Sequence, residues 1–120
     1  DLNEDGWLDL IKRQVHAAPQ LWLSRCGDEA WLTLSVSGSA ENPTGIGTRV
    51  EVLADTGSGE TRQLRWIRAG GTSIASGGPP MVHFGLGEAD SITELKIVWP
   101  DGQVSLFEDL EPRQRVHVVR

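Results

Sequence analysis

Apolar and polar residues alternate with a period of two along most of the chain. Leu32, Leu34 and Val36 alternate with Thr33, Ser35 and Ser37. Val50 and Val52 alternate with Arg49 and Glu51, and Leu95, Ile97 and Trp99 with Lys96 and Val98. Each run predicts a strand with one face buried, because successive side chains of a strand point to opposite sides. Further short strands are predicted over residues 20–24, 63–67, 82–84, 104–107 and 115–119, separated by clusters of Gly, Pro, Asp and Ser. Helical spacing is nearly absent. Leu8, Ile11 and Val15 share a helix face, but Pro19 follows and no capped run of helical length exists. The fold expected is therefore all-β: an antiparallel β-sandwich or open barrel of short strands.

Turn chemistry supports this pattern. Pro100-Asp101-Gly102 lies between two alternating runs and predicts a hairpin, since Pro presets φ, Asp bonds local backbone and Gly accepts positive φ. Thr56-Gly57-Ser58-Gly59 predicts a second one, and residues 70–80 (GGTSIASGGPP) a longer surface loop. Trp66, Trp99 and Phe84 sit on strand faces with aliphatic neighbours and are expected in the core.

Composition narrows the function classes. With 120 residues the chain suffices for one core, and no apolar stretch approaches the ~18 residues of a membrane span. Seventeen acidic against 11 basic residues give a net charge of −6, which opposes nucleic-acid binding and suits cations. The lone Cys26 excludes an internal disulfide and a cysteine zinc site, and no base or orienting group near it supports a nucleophile. The chain begins with Asp1 and its only methionine is Met81, from which a processed product or a piece of a longer polypeptide is expected.

One segment carries chemistry. DLNEDGWLDL (1–10) places oxygen side chains at loop positions one, three, five and nine and glycine at six. Calcium takes six to eight oxygen ligands, and alternate residues of a tight turn aim Asp1, Asn3 and Asp5 inward, with the Trp7 carbonyl at position seven and Asp9 closing the ring. An EF-hand is rejected, because Lys12 stands where its bidentate Glu belongs and no helices flank the loop. The competing reading is a solvated acidic turn that binds nothing.

Other motifs carry less. Gly45-Ile46-Gly47 and Gly85-Leu86-Gly87 precede no helix that could hold a phosphate, so close backbone approach or bending is expected of them. His16, His83 and His117 have no metal-ligand spacing, and His83 and His117 are expected on exposed sheet positions. Arg49 and Arg65 are expected to pair across strands with acids such as Glu51 or Glu60; an anionic glycan or an acidic partner for the Arg62, Arg65 and Arg68 segment is the alternative.

DLNEDGWLDL resembles the calcium loop of the FG-GAP/VCBS repeats that form blades of integrin-type β-propellers, with residues 20–24 similar to a strand of such a repeat. Four motifs resemble, in order, the ASPIC/UnbV domain, the carboxy-terminal module of cartilage acidic protein-like and bacterial propeller proteins: NPTGIGTRV (42–50), RWIRAGG (65–71), HFGLG (83–87) and VWPDG (98–102). The resemblance implies that residues 1–30 end a repeat, as the calcium-loop remnant of a propeller blade, and that residues 31–120 form the module. Residues 72–76 depart from the tyrosine and Ser-Gln pair that the family commonly carries there. The function implied is non-catalytic: an extracellular or periplasmic calcium-binding protein acting in adhesion, with a protein or carbohydrate ligand, whose module docks on the propeller blades. The alternative implied is an accessory or enzymatic part of an enediyne-type natural-product pathway, for which these residues propose no reaction.

Overall fold

The computed structural model describes residues 1–24, 27–71 and 77–120. Nine strands follow one another among these residues: β1 (Leu10–Lys12), β2 (Gln20–Trp22), β3 (Ala30–Ser37), β4 (Arg49–Asp55), β5 (Glu60–Trp66), β6 (Met81–Gly87), β7 (Ser91–Val98), β8 (Val104–Leu110) and β9 (Gln114–Val119). Among the described residues there is no helix. β1 and β2 form a hairpin, β6-β3-β9 a three-stranded sheet and β5-β4-β7-β8 a four-stranded sheet. The two larger sheets bury their facing sides in a sandwich-like arrangement, as the alternating pattern predicts. Every pairing is antiparallel except β3 with β9, which run parallel.

The core consists of the alternating apolar positions. Leu32, Leu34 and Val36 from β3 and Val82, Phe84 and Leu86 from β6 meet Val50 and Val52 from β4 and Ile92, Leu95 and Ile97 from β7, all buried. Removing each such side chain from water contributes about 1.5–3 kcal/mol. On β7 the buried positions step by three between Ile92 and Leu95. The register with β4 shifts there, Leu53 facing Glu94 and Ala54 facing Ile92, so that Thr93 is the extra residue of a bulge. Thr93 Oγ1 donates to the Leu53 carbonyl at 3.2 Å.

The predicted turns close as expected. Trp99 N donates to Gln103 O at 2.8 Å and Gly102 N to Trp99 O at 2.9 Å. Gly102 takes φ +86°, which a side chain would strain. Thr56 N donates to Gly59 O at 3.1 Å and joins β4 to β5. The Gly45–Gly47 segment forms the corner by which the chain passes from β3 in one sheet to β4 in the other. Asn42 holds it from both sides, its Nδ2 donating to Ile46 O at 2.8 Å and its Oδ1 accepting from Ile46 N at 3.1 Å.

The aromatic expectation holds for two of three residues. Phe84 and Trp99 are buried, and the Trp99 indole N–H donates to Ser105 Oγ at 2.9 Å. Trp66 is 42% exposed. The register explains this: Trp66 faces Arg49, whose side chain lies on the outer surface of the four-stranded sheet, while the inward row of β5 is Thr61, Gln63 and Arg65. Leu8, Ile11 and Val15 do not share a helix; Ile11 pairs with Leu21 in the β1–β2 hairpin. Cys26 and residues 72–76, to which the sequence drew attention, lie outside the described residues.

Candidate functional site

The outer face of the three-stranded sheet carries Trp31, Thr33 and Ser35 from β3, flanked across the ladder by Gly85, His83 and Met81 from β6 and by Arg115 and His117 from β9. Solvent should wet such a row, yet Thr33 is only 5% exposed. The acidic loop covers it. His83 Nε2 donates to the Gly6 carbonyl at 2.8 Å, Arg115 forms an ion pair with Asp1, and the Trp31 ring lies against Gly6.

The loop is organised by its own carboxylates. Asp9 accepts from Leu2 N at 2.8 Å and from Ser24 N at 3.0 Å, tying the start of the loop to the end of the β1–β2 hairpin. Ser24 Oγ donates in return to Leu8 O at 2.7 Å. Asp5 accepts from Trp7 N at 2.9 Å and from Asn3 Nδ2 at 2.7 Å, and Asp1 accepts from Gly6 N at 3.1 Å. Asp1 is therefore held twice, by Gly6 within the loop and by Arg115 of β9.

Two oxygens in this contact are buried and unpartnered, Asp1 Oδ1 and Thr33 Oγ1. The Asp1 side chain is 9% exposed. A buried carboxylate oxygen without a donor costs free energy, which a bound cation or an ordered water would offset. The donor set of Asp1, Asn3, Asp5, Asp9 and the Trp7 carbonyl is all oxygen and suits a hard cation. Among the described residues no three His, Cys, Asp or Glu side chains already stand together as a metal cluster, the loop carboxylates being turned to amides and to Arg115.

The two amide donors hold the Asp9 carboxyl below its ordinary value of 3.8, Leu2 more than Ser24, with burial opposing them. A group whose folded value is depressed contributes stability above its unfolded value and loses it as the pH falls through the folded one. The Leu2 and Ser24 amides are therefore expected to be protected from exchange at neutral pH and to lose protection together below pH 3.8. In Asp9→Asn, where a single acceptor oxygen remains, one of the two should be unprotected at every pH. Amide exchange followed by NMR checks both, and equal protection of both amides in the variant would contradict the geometry.

Where the loop meets the domain a cleft of about 620 Å³ opens, between Trp7 and Leu8 on one side and Trp31, His83, Gly85 and Arg65 on the other. Trp31 and His83 lie nearly parallel, ring centres 6.4 Å apart at 9°. The Arg65 guanidinium sits 5.3 Å from the Phe84 ring centre and donates to Leu64 O at 2.9 Å and to Gln63 Oε1 at 3.1 Å. Neither Arg65 nor Arg49 makes the expected cross-strand ion pair: Arg49 pairs with Glu51 of its own strand at 2.9 Å, and it is Arg62 of β5 that reaches Glu51 across the ladder, at 3.5 Å. His83 was expected on an open sheet surface, but it is half-buried and anchors the loop. His117 does lie exposed on β9, with its ring nitrogens 2.9 Å from Ser35 Oγ and Ser37 Oγ. The sequence clue to the cleft was Trp31, a large aromatic heading the polar row of β3.

The architecture is thus an all-β domain with an acidic loop folded onto its outer face. The chain belongs to the ASPIC and UnbV family, whose model matches residues 38–120. The match begins one residue after β3 and covers β4 to β9, leaving outside it the central strand of the three-stranded sheet and the loop. No curated protein matches the chain. The four motifs that carry the resemblance fall on the corner before β4, the end of β5, the bulged end of β6 and the β7–β8 hairpin. No helix among the described residues is long and apolar enough to cross a membrane.

Proposed function

We propose that this chain is a non-catalytic β module of a calcium-binding, propeller-containing extracytoplasmic protein, acting in adhesion through a carbohydrate or protein ligand. The observation that supports it best is the buried, unpartnered Asp1 Oδ1 in an all-oxygen loop docked on the sheet. Asp1, Asn3, Asp5, Asp9 and the Trp7 carbonyl would hold calcium, which when bound would supply positive charge to the carboxylates of the loop. The rest falls to the chain's own residues. Gly6 bonds His83, Asp1 bonds Arg115, and Asp9 bonds the end of the hairpin, so ordering the loop orders one wall of the cleft.

Thermal unfolding with millimolar calcium against chelator tests the reading. A ligand bound only by the folded state stabilises it by about 1.4 kcal/mol at ten times its dissociation constant, worth several degrees in a domain of this size. That rise is expected with calcium, is not expected with magnesium, and should vanish in Asp5→Ala. An unchanged calcium response in Asp5→Ala would remove this loop as the site.

A further inference from the structure

Gly85 stands in the middle of a strand, where glycine weakens the structure by roughly 0.5–1 kcal/mol relative to alanine. Nothing inside the fold requires it. A Cβ built there meets no atom within 4 Å, and its φ is not among the positive ones. Its cross-strand neighbour is Trp31, and an aromatic beside a strand glycine ordinarily lies over it. Here the indole is turned instead against Gly6, and the register between β3 and β6 shifts beside it, Ala30 facing Gly87 and Trp31 facing Gly85. Bulges of this kind re-aim side chains and concentrate beside functional sites. Gly87 likewise has open space where a side chain would stand. The result is a bare backbone floor with tryptophans beside it.

We infer that this cleft is a binding site for a neutral pyranose ring of an oligosaccharide, with Trp7 and Trp31 as its apolar contacts and Gly85 as its floor. The inference rests on the binding-module reading above and names the ligand class and the place. A sugar ring presents flat C–H faces edged by hydroxyl groups. Tryptophan offers a large flat apolar surface with one N–H, and Arg65 and Glu29 at the cleft supply hydrogen-bonding groups for hydroxyls. The volume, about 620 Å³, lies in the range of small-ligand sites and exceeds a single ring. Charge selects a neutral sugar over an acidic one. Among the described residues Arg65 is the only Lys or Arg lining the cleft and its guanidinium already serves Leu64 and Gln63, whereas Glu29 lines the same cleft on a chain of net charge −6.

The test is an NMR titration of the whole chain at saturating calcium, using neutral di- to tetrasaccharides of glucose, galactose, mannose and N-acetylglucosamine. At least one is expected to shift the indole N–H signals of Trp7 and Trp31 and the Gly6 and Gly85 amides saturably, with a Kd on the order of 1 mM. Trp66, on the other sheet, should not move. Gly85→Val, which a strand accommodates and which fills the floor, should weaken binding at least tenfold, as should Trp7→Ala; Trp66→Phe should leave it unchanged. Absence of any saturable shift at the cleft, shifts centred elsewhere, tighter binding of uronic-acid oligosaccharides, or undiminished binding by Gly85→Val would each overturn the assignment. The calcium-dependent thermal shift is measured separately. Its persistence without sugar binding overturns the cleft assignment alone, and loss of both overturns the reading beneath it.

Discussion

Phe84→Ala is expected to destabilise the domain by about 3–5 kcal/mol, lowering the melting temperature by on the order of 10–20 °C. Phe84 is fully buried on the inward face of β6, in the core cluster that both large sheets build. Its ring also carries the Arg65 guanidinium at 5.3 Å, so truncation also removes that cation–π contact. β6 is an edge strand of the three-stranded sheet, and relaxation could close part of the cavity, which places the loss within the stated range rather than above it. Urea denaturation followed by far-ultraviolet circular dichroism and by tryptophan fluorescence checks this. The midpoint should fall with the slope unchanged. A loss below about 1 kcal/mol would mean that Phe84 packs against a loosely filled core.

The fold was largely legible because its core obeys a local rule. Residues 32–36, 50–52 and 95–97 alternate without interruption, and each lies on a strand with the apolar set inside. Legibility ended where a bulge shifted the period. Thr93 breaks the alternation of β7, and nothing in a one-residue insertion distinguishes it locally from a strand end. Trp66 was misplaced for a related reason: residues 63–67 fix a period but not a phase, and the partner strand decides which face turns inward. The parallel pairing of β3 with β9 joins segments some 80 residues apart and leaves no trace in either. The acidic loop was visible as a motif, since the oxygen spacing is local. Its seat was not. The contacts of Asp1 with Arg115 and of Gly6 with His83 span 114 and 77 residues, and each of those partners looks like an ordinary polar strand residue.

Gly6→Ala is expected to release the loop from the domain while leaving the sandwich folded. Two costs coincide at this position. Gly6 has φ +94°, a conformation that an L side chain adopts only with strain of about 1–2 kcal/mol. A Cβ there would also overlap the Nε1–Cε2–Cζ2 edge of the Trp31 indole. The backbone cannot yield without breaking the Gly6 carbonyl's bond to His83 and the Gly6 amide's bond to Asp1, and the indole cannot yield without moving into the cleft. The loop holds few other contacts with the sheet, so local opening is easier than global unfolding. Amide exchange should therefore lose protection at Gly6 and Trp7 while the strands β3, β4 and β7 keep theirs, and calcium should no longer raise the melting temperature. Trp31→Ala in the Gly6→Ala background removes the overlap but not the backbone strain. It should restore part of the protection, whereas two changes acting independently would simply add. Strict additivity would show that Trp31 does not seat the loop, and loss of protection throughout the strands would show that the loop is integral to the fold.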